Sequence, residues 1–242
     1  MKESKIGEIV AKNFQAAKIF ENLGLDFCCG GKRSLKDACR EKGVDPEFVV
    51  EEIFKIPDPN GNAVHFNKWD VDFLIDYIIN NHHSYVITSI PTIEHHLQKV
   101  ISAHGERHPE LGKIDELFTD LKNELMIHLA KEEKMLFPYI KKMHIASKNT
   151  LDFSIPPFGS IENPIRVMET EHDEAGKLVE SINRITNGYF PPEDACATFR
   201  VLYEELKEFE KDLHVHIHLE NNILFPKSAT LEKELNKVDN IS

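Results

Sequence analysis

HLAKEEKMLFP, residues 128–138, and HIHLENNILFP, residues 216–226, decide how this chain folds. Aligned on their shared LFP, Pro138 falls on Pro226, Glu132 on Glu220 and His128 on His216, each pair 88 residues apart. The offset marks two copies of one helical hairpin. Residues four apart share a helix face, with Cβ atoms about 5–6 Å from one another, so each copy presents one His–Glu pair to one side. The same offset sorts the histidines of HVHIH, because His216 has a counterpart while His214 and His218 point roughly the opposite way. A single His-x-x-x-Glu on a surface helix is ordinarily a weak side-chain pair. Packing alone does not require that both copies keep it on the side that should face a core.

Apolar residues recur with a helical period from Asp70 to about His104, at Phe73, Leu74, Tyr77, Ile78, Val86, Ile90, Ile93, Leu97, Val100 and Ile101, and the stripe closes at Gly105. A second helix is expected from Glu110 to Met143, a third from Pro164 to Asn187, and a fourth ending near Pro226. SKNTLDFSIPPFGS and NGYFPPED interrupt the pattern between them. Four long helices with short to medium connections predict an up-down bundle. The first and third helices then correspond as well, since NNHHSY and ETEHDEAG carry His83 and His172, 89 residues apart. A one-residue difference in a connecting loop absorbs the mismatch. His83 is preferred to His82 because it lies seven residues before Ile90 and fourteen before Leu97. Four imidazoles and two carboxylates converging inside one bundle predict a metal site. A cation neutralises carboxylates that burial would otherwise penalise and takes neutral imidazoles as donors. Six such donors exceed one tetrahedral zinc and suit iron or manganese, and carboxylates that bridge would make the site binuclear.

Ahead of the bundle, IGEIVAKNFQAAKIFENLG reads as short helices stopping at Gly24, and Asp45 with Pro46 starts EFVVEEIFK. LDFCCGGKRS between them is a turn. IPDPNGNAVHFNKW has no helical period, so a small helical domain is expected over residues 1–55, a linker over 56–68 and the bundle over 69–230. Cys28 and Cys29 in the glycine-rich turn are read as exposed thiols, with Lys32 and Arg33 lowering their pKa, fit for redox chemistry or metal transfer. Cys39 and Cys196 are read as small apolar fillers. The net charge of −12, from 29 basic and 41 acidic residues, disfavours nucleic acid or an anionic membrane as partner. No apolar run approaches the roughly 20 residues of a membrane helix, and MKESKIGEIVAKNF lacks the apolar core of a signal peptide. A cytoplasmic protein is expected, its four cysteines held as thiols by a reducing compartment.

On these motifs the chain resembles the hemerythrin-like bundles, and more closely the bacterial di-iron proteins for repair of iron–sulfur clusters (the RIC, or ScdA/YtfE, family). DFCCGGKRSL, HGERHPEL, HLAKEEKMLFPYI, VMETEHDEAG and HIHLENNILFP carry the resemblance, which covers nearly the whole chain. It implies an all-α, hemerythrin-like up-down four-helix bundle preceded by a small helical Cys-Cys domain. It implies iron ligands His83, His128, Glu132, His172, His216 and Glu220, holding two iron ions bridged by both glutamates and an oxo group. Damaged iron–sulfur proteins become the expected partners, and nitric oxide or oxygen the small ligands. Nitric oxide reduction at a non-haem di-iron centre is a candidate activity, and a homodimer a candidate assembly. Oxygen-carrying hemerythrins resemble a different pattern, with a second histidine four residues after the third-helix ligand, where this chain has Gly176, and a final aspartate ligand at a different spacing, where it has Glu220. Fewer imidazoles leave open coordination, which favours small-molecule binding and iron loss. An oxygen- or nitric oxide-binding or sensing module and an iron store compete with the repair reading. Glu124, one turn before His128, and Glu171, beside His172, are candidates to line an iron or water path, against their ordinary reading as solvated helix residues.

Overall fold

A computed structural model describes residues 1–56, 65–149 and 158–239, with side chains as far as 236. Regular structure among these residues is helical, apart from one isolated bridge between Lys5 and Ser34. The N-terminal helices are α1 (Ile6–Lys12) and α2 (Ala16–Asn22), separated where the Asn13 side chain accepts the Gln15 N–H and turns the chain. Gly24 follows α2 with φ +64°, a left-handed angle that ends a helix at little steric cost. Ser34 caps α3 (Leu35–Lys42), and Asp45 caps α4 (Pro46–Lys55), where Pro46 sits in the first turn and forfeits no helical hydrogen bond. Ile6, Val10, Phe20, Leu35 and Val49 bury the inner faces of these helices in a core of their own. Most of the expected linker falls on residues 57–64, outside the described residues.

Four helical rods follow. The first is α5 (Val71–Tyr77), a π turn at Ile78–His83 and α6 (Ser84–His104). The second is α7 (Glu110–Lys131), a π turn at Glu132–Leu136 and α8 (Phe137–Asn149). The third is α9 (Glu162–Ile185) alone. The fourth is α10 (Ala197–Leu219), a π turn at Glu220–Leu224 and α11 (Phe225–Asp239). Two expectations are corrected: the second rod runs beyond Met143 to Asn149, and the fourth passes Pro226 and continues to Asp239. Proline lacks an N–H and crowds the carbonyl four residues back. In both rods a π turn immediately precedes the Phe-Pro pair, and its wider i→i+5 bonding accommodates the missing donor, so the helix resumes. LFP is the exit of a π turn rather than a stop.

The chain divides into two compact units. The bundle unit comprises Asp76–Tyr139 and Asn163–His214. Within it α6, α7, α9 and α10 pack about Leu97, Leu121, Val179 and Leu206, with Phe118 edge-on to Phe209 at 5.6 Å. Lys122 with Glu94 and Asn183 with Glu210 tie its rim. The second unit comprises Met1–Ile75, Ile140–Glu162 and Val215–Ser242, so that the N-terminal helices share it with α8, α11 and the π turn at Glu220–Leu224. There the Glu232 carboxylate accepts the Ile161 N–H at 2.8 Å and the Ser160 hydroxyl at 2.7 Å. Among the described residues no helix is long and apolar enough to cross a membrane.

Candidate metal centre

Four predicted donors lie in the bundle unit, and two of them belong to π turns: His83 closes one and Glu132 opens another. Such turns displace side chains from the regular helical register and recur at functional sites. Glu132 is 0% exposed, and among the described residues neither of its carboxylate oxygens accepts a hydrogen bond. His83 Nε2 and His128 Nε2 each lie 3.4 Å from Glu132 Oε2, and His172 Nε2 lies 2.9 Å from His128 Nε2. His83, His128 and His172 are buried as well.

The far sides of two rings fix what the near sides offer. His83 Nδ1 meets Glu133 Oε1 at 2.8 Å, and His128 Nδ1 meets Glu171 Oε2 at 2.9 Å. A carboxylate accepts only, so in the neutral ring each contact holds the proton on Nδ1 and leaves a lone pair on Nε2. Burial works to raise the pKa of Glu171, but hydrogen bonds from Lys131 and His128 outweigh it and hold the carboxyl below its ordinary value. With both rings neutral, two imidazole lone pairs face one oxygen of a buried carboxylate with no proton between them. That arrangement is repulsive and desolvated by itself. A cation among these atoms turns each repulsion into a bond, and the nitrogen and oxygen donors suit iron or manganese. The residues present fit a metal ion.

The second unit brings together the remaining two predicted donors. His216 Nε2 lies 3.0 Å from Glu220 Oε1, both side chains are buried, and Glu220 opens the third π turn. α10 runs without a break through His214 to His216. Of the other histidines in the run, His214 is half-buried, whereas His218 is fully buried against the Cys-turn residue Phe27, at 5.4 Å, and Phe14 of the turn before α2, at 6.2 Å. Burial pushes its pKa down to about 3, so it packs as a neutral ring.

His82 turns elsewhere, placing Nδ1 2.9 Å from Asp212 Oδ1. Glu171 is a ring partner of His128, whereas Glu124 is solvent-exposed, with its pKa raised by partial burial and by Glu174, Asp120 and Glu171. The expectation of exposed, acidified thiols is corrected at Cys28. That side chain is buried and its Sγ donates to Asp26 at 3.2 Å. The hydrogen bond with Cys29, then burial, then the charges of Cys29 and Asp26 push its pKa well up. Arg33 does not reverse this, because its guanidinium is engaged by Asp26 and Glu41. Cys29 is half-buried. Glu133, Asp212 and Asn222 were not anticipated from the sequence. Of the three, only Glu133 left a signal, as a second carboxylate beside Glu132 in one copy of the repeat.

Two family models match the chain. Residues 74–228 match the hemerythrin HHE cation binding domain, and residues 2–56 match a domain of unknown function, DUF542 (ScdA_N). The iron-sulfur cluster repair protein ScdA of Staphylococcus haemolyticus is 32% identical over 225 residues, covering 93% of this chain and 97% of the relative. The iron-sulfur cluster repair protein YtfE of Pectobacterium atrosepticum is 35% identical over 227 residues, covering 94% and 97%. A probable iron-sulfur cluster repair protein of Haemophilus influenzae is 36% identical over 228 residues, covering 93% and 96%.

Proposed function

We propose a function from one premise: the chain belongs to the family of iron-sulfur cluster repair proteins and carries the hemerythrin HHE cation binding domain. In our reading it holds two iron ions on His83, His128, Glu132, His172, His216 and Glu220, bridged by the two carboxylates and an oxo group. It restores iron–sulfur clusters damaged by nitrosative or oxidative stress. The observation that carries this reading is Glu132, a fully buried carboxylate that accepts no hydrogen bond among the described residues yet is approached at 3.4 Å by two imidazole nitrogens. The same spacing at His216 and Glu220, 88 residues on, supports adding that pair to the set.

Each surrounding group then has a task. Glu133 and Glu171 hold the His83 and His128 rings with Nε2 inward, and Lys131 holds Glu171 in place. Gly176, one turn beyond His172 in α9, adds no side chain where a further imidazole would fill a coordination position. Bound iron supplies an open position for nitric oxide and a source of iron for a damaged cluster, that iron being cargo. Cys28 and Cys29 pass iron or electrons outward once their turn opens. Residues 1–55 act as a small domain ahead of a bundle over 69–230, in the cytoplasm, with damaged iron–sulfur proteins as partners. The test is anaerobic: the reduced, iron-loaded chain is mixed with an iron–sulfur hydratase inactivated by nitric oxide. Activity should return with the loaded chain, and fail with the metal-free chain or a Cys28→Ser/Cys29→Ser variant that retains its iron. Reversible oxygen binding, iron retained against a chelator and no revival would instead assign a gas-binding module.

A further inference from the structure

The π turn that opens with Glu220 has its third residue inserted into the Cys-Cys turn. Asn222 Nδ2 donates to the carbonyls of Phe27 and Cys28, each at 3.2 Å, and lies 3.2 Å from His218 Nδ1. Two glycines leave room for the other end of the amide. A Cβ on Gly7 of α1 would stand 2.1 Å from Asn222 Oδ1, and one on Gly31 of the Cys turn 2.3 Å, so the amide fits only because neither residue has a side chain. Neither glycine has a left-handed backbone angle. Close approach therefore accounts for both. The Lys134 position of the second rod, which the repeat places opposite Asn222, is exposed.

We propose that Asn222 is a positioning residue that couples metal occupancy at Glu220 to the opening of the Cys28–Cys29 turn. This rests on the reading of Glu220 as an iron ligand. Glu220 and Asn222 share one π turn of five residues, with no flexible segment between them. Iron on Glu220 fixes the start of that turn. Without iron that anchor is gone, leaving the start of the turn to the side chain's protein contacts, His216 Nε2 at 3.0 Å from Glu220 Oε1 among them, and the backbone there can shift. Any such shift reaches the Asn222 amide, and the two carbonyls that the amide holds belong to Phe27 and to Cys28 itself. Iron at the centre favours the turn closed over the Cys28 thiol, and the open turn favours departure of that iron. Coupling of this kind is reciprocal, so opening the turn also weakens iron binding.

The experiment is alkylation by iodoacetamide of the full chain under anaerobic conditions, with and without ferrous iron. Peptide mass spectrometry resolves Cys28 and Cys29 from Cys39 and Cys196. The rate at a buried thiol reads the population of the open turn. Iron should slow modification of Cys28 by at least about five-fold, the lower end of coupling between sites. Asn222→Ala, and independently Gly31→Ala, should bind iron and bring the two rates within about two-fold of each other by severing the coupling. A merely structural Asn222 would speed both rates equally and leave their ratio intact, which overturns the proposal. So does a natural chain that binds iron with no change in rate, although the metal centre then stands. Loss of iron in both variants places Asn222 in the site's architecture and also overturns it. A natural chain that takes up no iron defeats the reading of the centre, and this coupling with it.

Discussion

The π turns at Glu132–Leu136 and Glu220–Leu224 start alike and are finished differently. Each begins with a buried glutamate four residues after a buried histidine. Beyond that point the copies part: Lys134 is exposed and Met135 is 56% exposed, whereas Asn222 is half-buried under the Cys-Cys turn and Ile223 is buried. Ala130 of the second rod corresponds to His218 of the fourth, which Phe14 and Phe27 cover. The inward face of the repeat keeps the donor pair in both copies. The outward face follows whatever packs on it, and in one copy that is the N-terminal module.

The largest effects belong to the part that the two copies share. Glu132→Ala should reduce iron from two per chain to one or none, read by elemental analysis, and His128→Ala or His216→Ala should lower it sharply. Two retained irons in these variants would remove the donor pairs from the site. The carboxylates behind the rings come next. Glu171→Gln or Glu133→Gln should weaken metal affinity about 10–100-fold in a chelator competition, the usual effect of losing a group that orients a ligand. Glu124→Gln, which alters neither ring partner, should leave affinity unchanged.

Smaller effects belong to the outward faces. His218→Ala should keep its iron but open a cavity against Phe14 and Phe27 costing about 2 kcal/mol. At about 2–4 °C per kcal/mol for a chain of this size, the melting temperature should fall by roughly 4–8 °C. Loss of iron with an unchanged melting temperature would make His218 a ligand rather than a packing residue. On the other copy Met135→Glu should change stability by less than about 0.5 kcal/mol, as exposed positions generally do. A large loss there would mean that this face is covered as well.

Much of this was legible in the sequence because two periodicities coincide, the helical stripe and the 88-residue offset. They predict the all-α bundle and pick His216 out of HVHIH. They are silent on the π turns, since i→i+5 bonding leaves no period to detect, and in the fourth helix Pro226 reads as a stop. Asp212, the partner of His82, was hidden because a carboxylate on a long helix is ordinarily solvated, and only packing shows which one meets a ring. Cys28 misled for a related reason. Lys32 and Arg33 are near in sequence, but the groups that act on its thiol are the neighbouring Cys29 thiol and Asp26, two residues back, while Arg33 is drawn to Asp26 and Glu41.

The metal itself gives the most direct test. Iron quantified in the freshly purified chain, with Mössbauer spectra of its oxidised state, should give two irons per chain forming one spin-coupled pair without magnetic splitting at low field. A single iron, two uncoupled irons, or another metal filling the site would contradict it.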